Sequence, residues 1–174
     1  MKKTILFMIV CILTGCSSVS VPDGIDTVKD FNLNRYLGRW YEIARLDHSF
    51  ERGLVKVTAE YTLRDDGGVR VVNRGFNTVK NKWNDIEGKA YFTGDNNTGE
   101  LKVSFFGPFY GSYNIIELDK VGYTYSLVCG PDKSYLWILA RTPDPDKKII
   151  DRLVQKAASL GFDTSKLIYV EHGD

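Results

Sequence analysis

The sequence predicts an all-β domain, an eight-stranded up-and-down antiparallel barrel with one C-terminal α-helix packed on its outside. Three observations predict it. Residues 55–64 alternate apolar and polar with period two, eight short runs of strand character follow one another through turn-rich connectors, and a single amphipathic helical pattern comes only after the last of them. A length of 174 residues suits one domain with a full core. A net charge of +1 gives no reason to expect a nucleic-acid partner.

Before the strands lies a segment of another kind. Met1-Lys2-Lys3 is basic, Thr4 to Leu13 is nearly all apolar, and Leu13-Thr14-Gly15-Cys16 follows. The apolar run is too short to span a bilayer and has the layout of a secretory signal. Its end resembles the bacterial lipobox. That resemblance implies cleavage before Cys16, a diacylglyceryl thioether on the cysteine sulfur and an acyl group on the new amino terminus. Ser17 after the cysteine, rather than Asp, implies the outer membrane. We therefore expect a cleaved signal peptide over 1–15, a lipidated tether over 16–27 and one folded domain over 28–174. Several acyl chains at ~0.8 kcal/mol per buried methylene make such anchoring effectively permanent. Cys11 leaves with the signal and Cys16 carries lipid, so Cys129 has no disulfide partner and is expected as a small buried hydrophobe.

The first strand is expected near Arg39 to Leu46. Val55, Val57, Ala59, Tyr61 and Leu63 share one face of the second, and Asp65-Asp66-Gly67-Gly68 turns the chain into a third at Val69 to Gly75. Further strands are expected at Asp85–Thr93, Gly99–Phe105, Ser112–Leu118, Tyr123–Cys129 and Tyr135–Ala140. Hairpin-length links between consecutive strands point to a closed barrel, which has no exposed edge. In the helix, Asp144 is the expected cap and Pro145 the first helical residue. Ile149, Ile150, Leu153, Val154, Ala157 and Leu160 make an apolar stripe, and Gly161 ends it. Tyr135-Leu136-Trp137-Ile138-Leu139 is apolar on both faces and marks the covered outer wall that receives the stripe. Leu167 to Val170 adds a short edge strand.

Strand counting brings Arg141, at the end of the eighth strand, back to the level of Trp40 in the first. A guanidinium over an indole contributes about 0.5–2 kcal/mol and would plug that end. Gly38-Arg39-Trp40 with Tyr41, the eight-strand pattern, Arg141 before Thr142-Pro143 and the helix after it together resemble the lipocalin family, over about residues 28–170. Trp40 to Arg45 and Phe105 to Gly111, taken with the lipobox, resemble its bacterial outer-membrane lipoprotein members. The resemblance implies a barrel that binds a lipid, with Gly38, Trp40 and Arg141 as its structural motif. One departure is Leu118-Asp119-Lys120, where many members carry Thr-Asp-Tyr and a disulfide, so the mouth cannot be copied from the animal proteins.

The inward set by alternation gives the expected ligand wall: Ala44, Leu46, Val57, Ala59, Tyr61, Val71, Ala90, Phe92, Leu101, Val103 and Phe105, with Tyr113 and Trp137. Burying roughly twelve methylenes of a fatty acid or lysophospholipid at about 0.8 kcal/mol each, against association costs of roughly 4–15 kcal/mol, gives an affinity near micromolar. Arg45, His48, Arg52, Lys80, Lys82 and Lys133 are expected near the open rim, where an anionic head group would meet them. Glu42 falls on the inward register beside Trp40 and needs a buried partner, Tyr or Arg, or a polar ligand group. Phe109 and Tyr110 are expected in a loop and mark a contact surface, either a lid, a membrane interface or a homodimer face. Neither cofactor nor metal is expected. A lipocalin-fold enzyme acting on a lipid is the alternative, but it needs a nucleophile with a base, and His48, His172 and Cys129 lie far apart in sequence.

Overall fold

A computed structural model describes residues 19–173. Cys16 and the expected signal peptide lie outside the described residues. The first regular element is a short helix, α1 (Leu33–Tyr36), capped by the Asn32 side chain, after which the chain enters the strands. These are β1 (Gly38–Arg45), β2 (Leu54–Leu63), β3 (Val69–Asn77), β4 (Lys82–Phe92), β5 (Glu100–Phe106), β6 (Phe109–Leu118), β7 (Tyr125–Cys129) and β8 (Leu136–Ala140). Each pairs antiparallel with the next, and β1 pairs with both β2 and β8, which closes the barrel. Closure leaves no free edge among these eight.

The helix α2 (Lys147–Ser159) lies outside the barrel, with Ile150, Leu153 and Ala157 buried. Its N-cap is Asp146, whose side chain accepts from the Lys148 amide; the expected start at Asp144 is two residues early. A helix this short must be held by its apolar face rather than by propensity. That face packs on Leu136, Ile138 and Ala140 of β8 and on Ile43, Ala44 and Leu46 beside them. A 3-10 turn (Thr164–Lys166) leads into β9 (Ile168–Tyr169), which pairs with Ala44 and Arg45.

Two expectations are corrected here. Ala44 and Leu46 were placed inward by simple alternation, but both sit in the layer under α2. The reason is a bulge: Glu42 pairs with Leu139 and Ala44 with Ile138, so the pleat shifts by one and Arg45, not Ala44, turns inward. Phe109 and Tyr110 are not loop residues. They open β6, and Phe106 pairs with Phe109 across a tight Gly107-Pro108 turn whose peptide bond is cis.

Residues 19–27, expected as free tether, are held against the barrel. The Ser20 amide donates to Ser112 Oγ at 2.6 Å and Asn114 Nδ2 to the Ser20 carbonyl at 2.9 Å. Ile25 is buried under the helix layer, and Thr27 Oγ1 donates to Glu100 Oε1 at 2.7 Å. The chain is thus fixed from Ser20 onward.

Candidate functional site

The barrel is stoppered at one end and open at the other. At the closed end the Trp40 side chain is fully buried and its Nε1 donates to the Tyr36 carbonyl at 2.8 Å. The Arg141 guanidinium lies 3.9 Å from the centre of the Trp40 ring. It also donates to the carbonyls of Arg35, Tyr36, Arg39 and Tyr123 at 2.8–3.2 Å, so its donors are spent on α1, on β1 and on the turn before β7. Gly38 serves this end through its backbone: its φ of +89° lies in the left-handed region that favours glycine, while a Cβ there would make only an ordinary contact, 3.5 Å from an Arg141 nitrogen. On the inner side Tyr36 covers the indole, ring centres 4.7 Å apart, and its hydroxyl meets Tyr113 Oη at 2.8 Å. Tyr61 reaches the same Tyr113 oxygen at 2.9 Å. Burial pushes the Tyr36 phenol up to about 12 and raises Tyr61 and Tyr113 as well, so all three stay neutral hydrogen-bonding groups.

Above this floor is a cavity of about 890 Å³, within the usual range of about 300–1,000 Å³ for small-molecule sites. Of the residues expected to line it, Val57, Ala59, Tyr61, Val71, Ala90, Leu101, Val103, Phe105, Tyr113 and Trp137 do so. Phe92 does not. It lies below the floor, edge-on to Phe31 at 6.1 Å between ring centres. Phe31, Leu33 and Tyr36 form part of the floor although they precede the first strand, a contribution that strand alternation has no way to reveal.

One wall is polar. Glu42 and Glu51 face the cavity, and Arg45 is buried behind them, donating from Nη1 to Glu42 Oε1 at 2.7 Å and from Nη2 to the Glu51 carbonyl at 2.9 Å. Glu51 accepts from Trp137 Nε1 at 3.1 Å. Burial raises both carboxyls above the ordinary range; for Glu42 the neighbouring Glu51 adds to this, and Arg45 opposes it. Two carboxyls share one guanidinium, so the cluster holds a proton more readily than isolated acids would.

The cationic rim takes only part of the expected form: Lys80 and Lys82 are exposed where β3 meets β4, but the other four residues are engaged elsewhere. Arg45 is 3% exposed and spent on Glu42. His48 is buried in a stack between Phe50 and Tyr135, its ring centre 5.3 and 4.7 Å from theirs. Burial, with Arg45 nearby, lowers its pKa and keeps it neutral. Arg52 is paired with Asp47 at 2.6 Å, and Lys133 runs along the end of α2 beside Gly161. The cation on the cavity lining is Arg74, 4.5 Å from the Trp83 ring and 3.6 Å from Asp85. Cys129 is buried and free, and burial pushes its thiol up to about 12, which fits a packing role.

Residues 31–172 match the family model described as a lipocalin-like domain. The chain is 53% identical over 168 residues to the outer membrane lipoprotein Blc of Vibrio cholerae, covering 95% of this chain and 97% of that protein. It is 54% identical over 160 residues to the protein of the same name from Escherichia coli, covering 92% and 90%. Among solved structures it is similar to insecticyanin of Manduca sexta, with a TM-score of 0.71 at 22% identity, covering 90% of this chain and 88% of that one. The first two likenesses span nearly the whole chain and give its location: it is a lipid-anchored lipoprotein of the outer membrane. With the closed eight-stranded barrel, its external helix and its stoppered floor in place, the chain belongs to the lipocalin family.

Proposed function

We propose that the protein is a lipid carrier, held to the outer membrane through Cys16, that stores or transports fatty acids or lysophospholipids for maintenance of the envelope. The observation that carries this reading is the hollow interior itself. A cavity of about 890 Å³ opens at one end and is walled by Val57, Val71, Leu101, Val103 and Phe105, which suits one hydrocarbon tail. The polar wall refines the ligand. A free carboxylate would enter a space that already holds Glu42 and Glu51, whereas a zwitterionic phosphoester head group can set its amine toward those acids and its phosphate toward Arg74. Of the two ligand classes, the lysophospholipid fits the charges better. Catalysis has less support, since His48 is locked in an aromatic stack and His172 binds the Glu42 carbonyl at 2.8 Å on the barrel's outer side.

Binding is tested on the soluble Cys16→Ala form by displacement of a fluorescent lipid. Lysophosphatidylethanolamine is expected to displace it at a lower concentration than palmitate. Val103→Trp, which pushes an indole into the cavity, is expected to abolish displacement while circular dichroism stays that of a β-barrel. Equal binding by this variant and wild type would end the carrier reading. Mass spectrometry of lipid carried out of cells by the wild-type protein names the ligand directly.

A further inference from the structure

The β1–β2, β3–β4, β5–β6 and β7–β8 connections all stand at the open end, and three of them present apolar side chains to solvent. Phe109 is 78% exposed and Phe106 73% on the β5–β6 turn, Val79 is 87% exposed between β3 and β4, and Phe50 rises beside His48. Exposed apolar groups gathered around one opening mark a contact surface. Lys80 follows Val79 on that connection and Lys82 opens β4 just beyond it.

A separate observation says what covers that surface. The N-terminal segment meets the barrel near this same end: Ser20 bonds Ser112 on the mouth half of β6, and its hydroxyl lies 3.4 Å from the carbonyl of Pro131, a residue of the cavity lining. From Cys16 to Ser20 the chain reaches at most about 14 Å fully extended. Along β6 from Ser112 to Leu118 the strand continues for about 20 Å at ~3.4 Å per residue, about 15 Å along the axis at the usual tilt of a barrel strand, and the turn between β6 and β7 lies beyond it at the closed end. A membrane anchor at Cys16 therefore reaches the level of the rim but falls short of the closed end.

We propose that the mouth of the barrel docks on the lipid bilayer that holds its own anchor, with Phe50, Val79, Phe106 and Phe109 entering the interface and Lys80 and Lys82 meeting lipid phosphates. Lipid then passes between bilayer and cavity without crossing water. The proposal rests on the carrier reading only for this last step; the orientation rests on the tether and the rim. A second copy of the chain is the competing occupant, and the short tether favours the membrane because it holds the rim at the bilayer surface.

The test uses the full-length acylated protein in vesicles of phosphatidylethanolamine and phosphatidylglycerol, nitroxide-labelled at Val79→Cys on the rim or Val121→Cys at the closed end. Cys129 is fully buried and leaves the label to the new cysteine. The Val79 label is expected to be several-fold more accessible to oxygen than to a water-soluble nickel chelate, and the Val121 label the reverse. Equal accessibility of both labels to the chelate would overturn the proposal. Protection of the Val79 label that disappears on diluting protein against lipid would overturn it in favour of a second copy. Val79→Asp is expected to slow lysophospholipid transfer to vesicles several-fold, while its soluble Cys16→Ala form binds the same lipid in solution as tightly as the parent. Failure of the parent to bind in solution would strike the carrier reading alone, because the labels report orientation whether or not lipid is carried.

Discussion

The two ends of this barrel solve opposite problems with the same residue types. At the closed end an arginine, a tryptophan and a tyrosine are fully committed: Arg141 donates to carbonyls of α1, β1 and the turn before β7, and Trp40 bonds the Tyr36 carbonyl. At the open end another arginine serves two carboxyls, and the rim aromatics stand in water. Arg45 Nε and His48 Nε2 are buried there with no hydrogen-bond partner. Buried polar groups left partly satisfied are costly and persist where the site does something besides hold the fold. The closed end is thus the stabilising half of the molecule, and the mouth the working half.

The sharpest break of this contrast is Trp40→Ala. Removing a fully buried indole from under Arg141 is expected to cost about 3–5 kcal/mol, read as a lowered midpoint in urea. An unchanged midpoint would remove the closed end from its stabilising role. Arg45→Met comes next and has a pH signature. Glu42 and Glu51 hold protons in the folded state to higher pH than when unfolded, so their burial costs nothing below about pH 4 and costs more as pH rises through the interval above the unfolded value near 4.3. Without Arg45 that cost grows, and the variant is expected to lose about 3 kcal/mol at pH 7, with the gap to wild type narrowing on acidification. Urea midpoints at several pH values measure it, and a pH-independent gap would mean that Arg45 acts by packing alone.

The same two regions differ in how far the sequence reveals them. Eight strands, the external helix and the Trp40–Arg141 contact follow from alternation, turn residues and strand counting, because hairpin-linked strands keep strict parity from one end of a barrel to the other. Parity fails where the backbone does something local. One bulge after Glu42 sends Arg45 inward and Ala44 and Leu46 under the helix. The cation that lines the cavity, Arg74, stands directly opposite Asp85 on the β3–β4 hairpin with Trp83 beside it, a cross-strand pairing that follows only once the exact hairpin register is known. Phe31 and Tyr36 reach the floor from a segment before the barrel, beyond any rule of strand alternation. Apolar walls are periodic and legible; polar clusters are assembled from loops and bulges and are not.

Two smaller effects sharpen the comparison further. Arg141→Ala removes the stacked guanidinium but leaves the indole to be covered by Tyr36, so a loss of about 2 kcal/mol is expected, less than for Trp40→Ala. Arg141→Lys restores the charge without the fork that reaches several carbonyls at once, and its urea midpoint should fall between alanine and wild type. Phe109→Ser should change stability by no more than about 0.5 kcal/mol, because a ring already in water gives up no burial on mutation. Were its melting midpoint to fall as far as that of Arg141→Ala, the rim would be holding the fold together and the division of labour between the ends would fail. The expected result, a ring that can be removed without cost from an apolar rim, requires that its reason for being there lie outside the isolated folded chain.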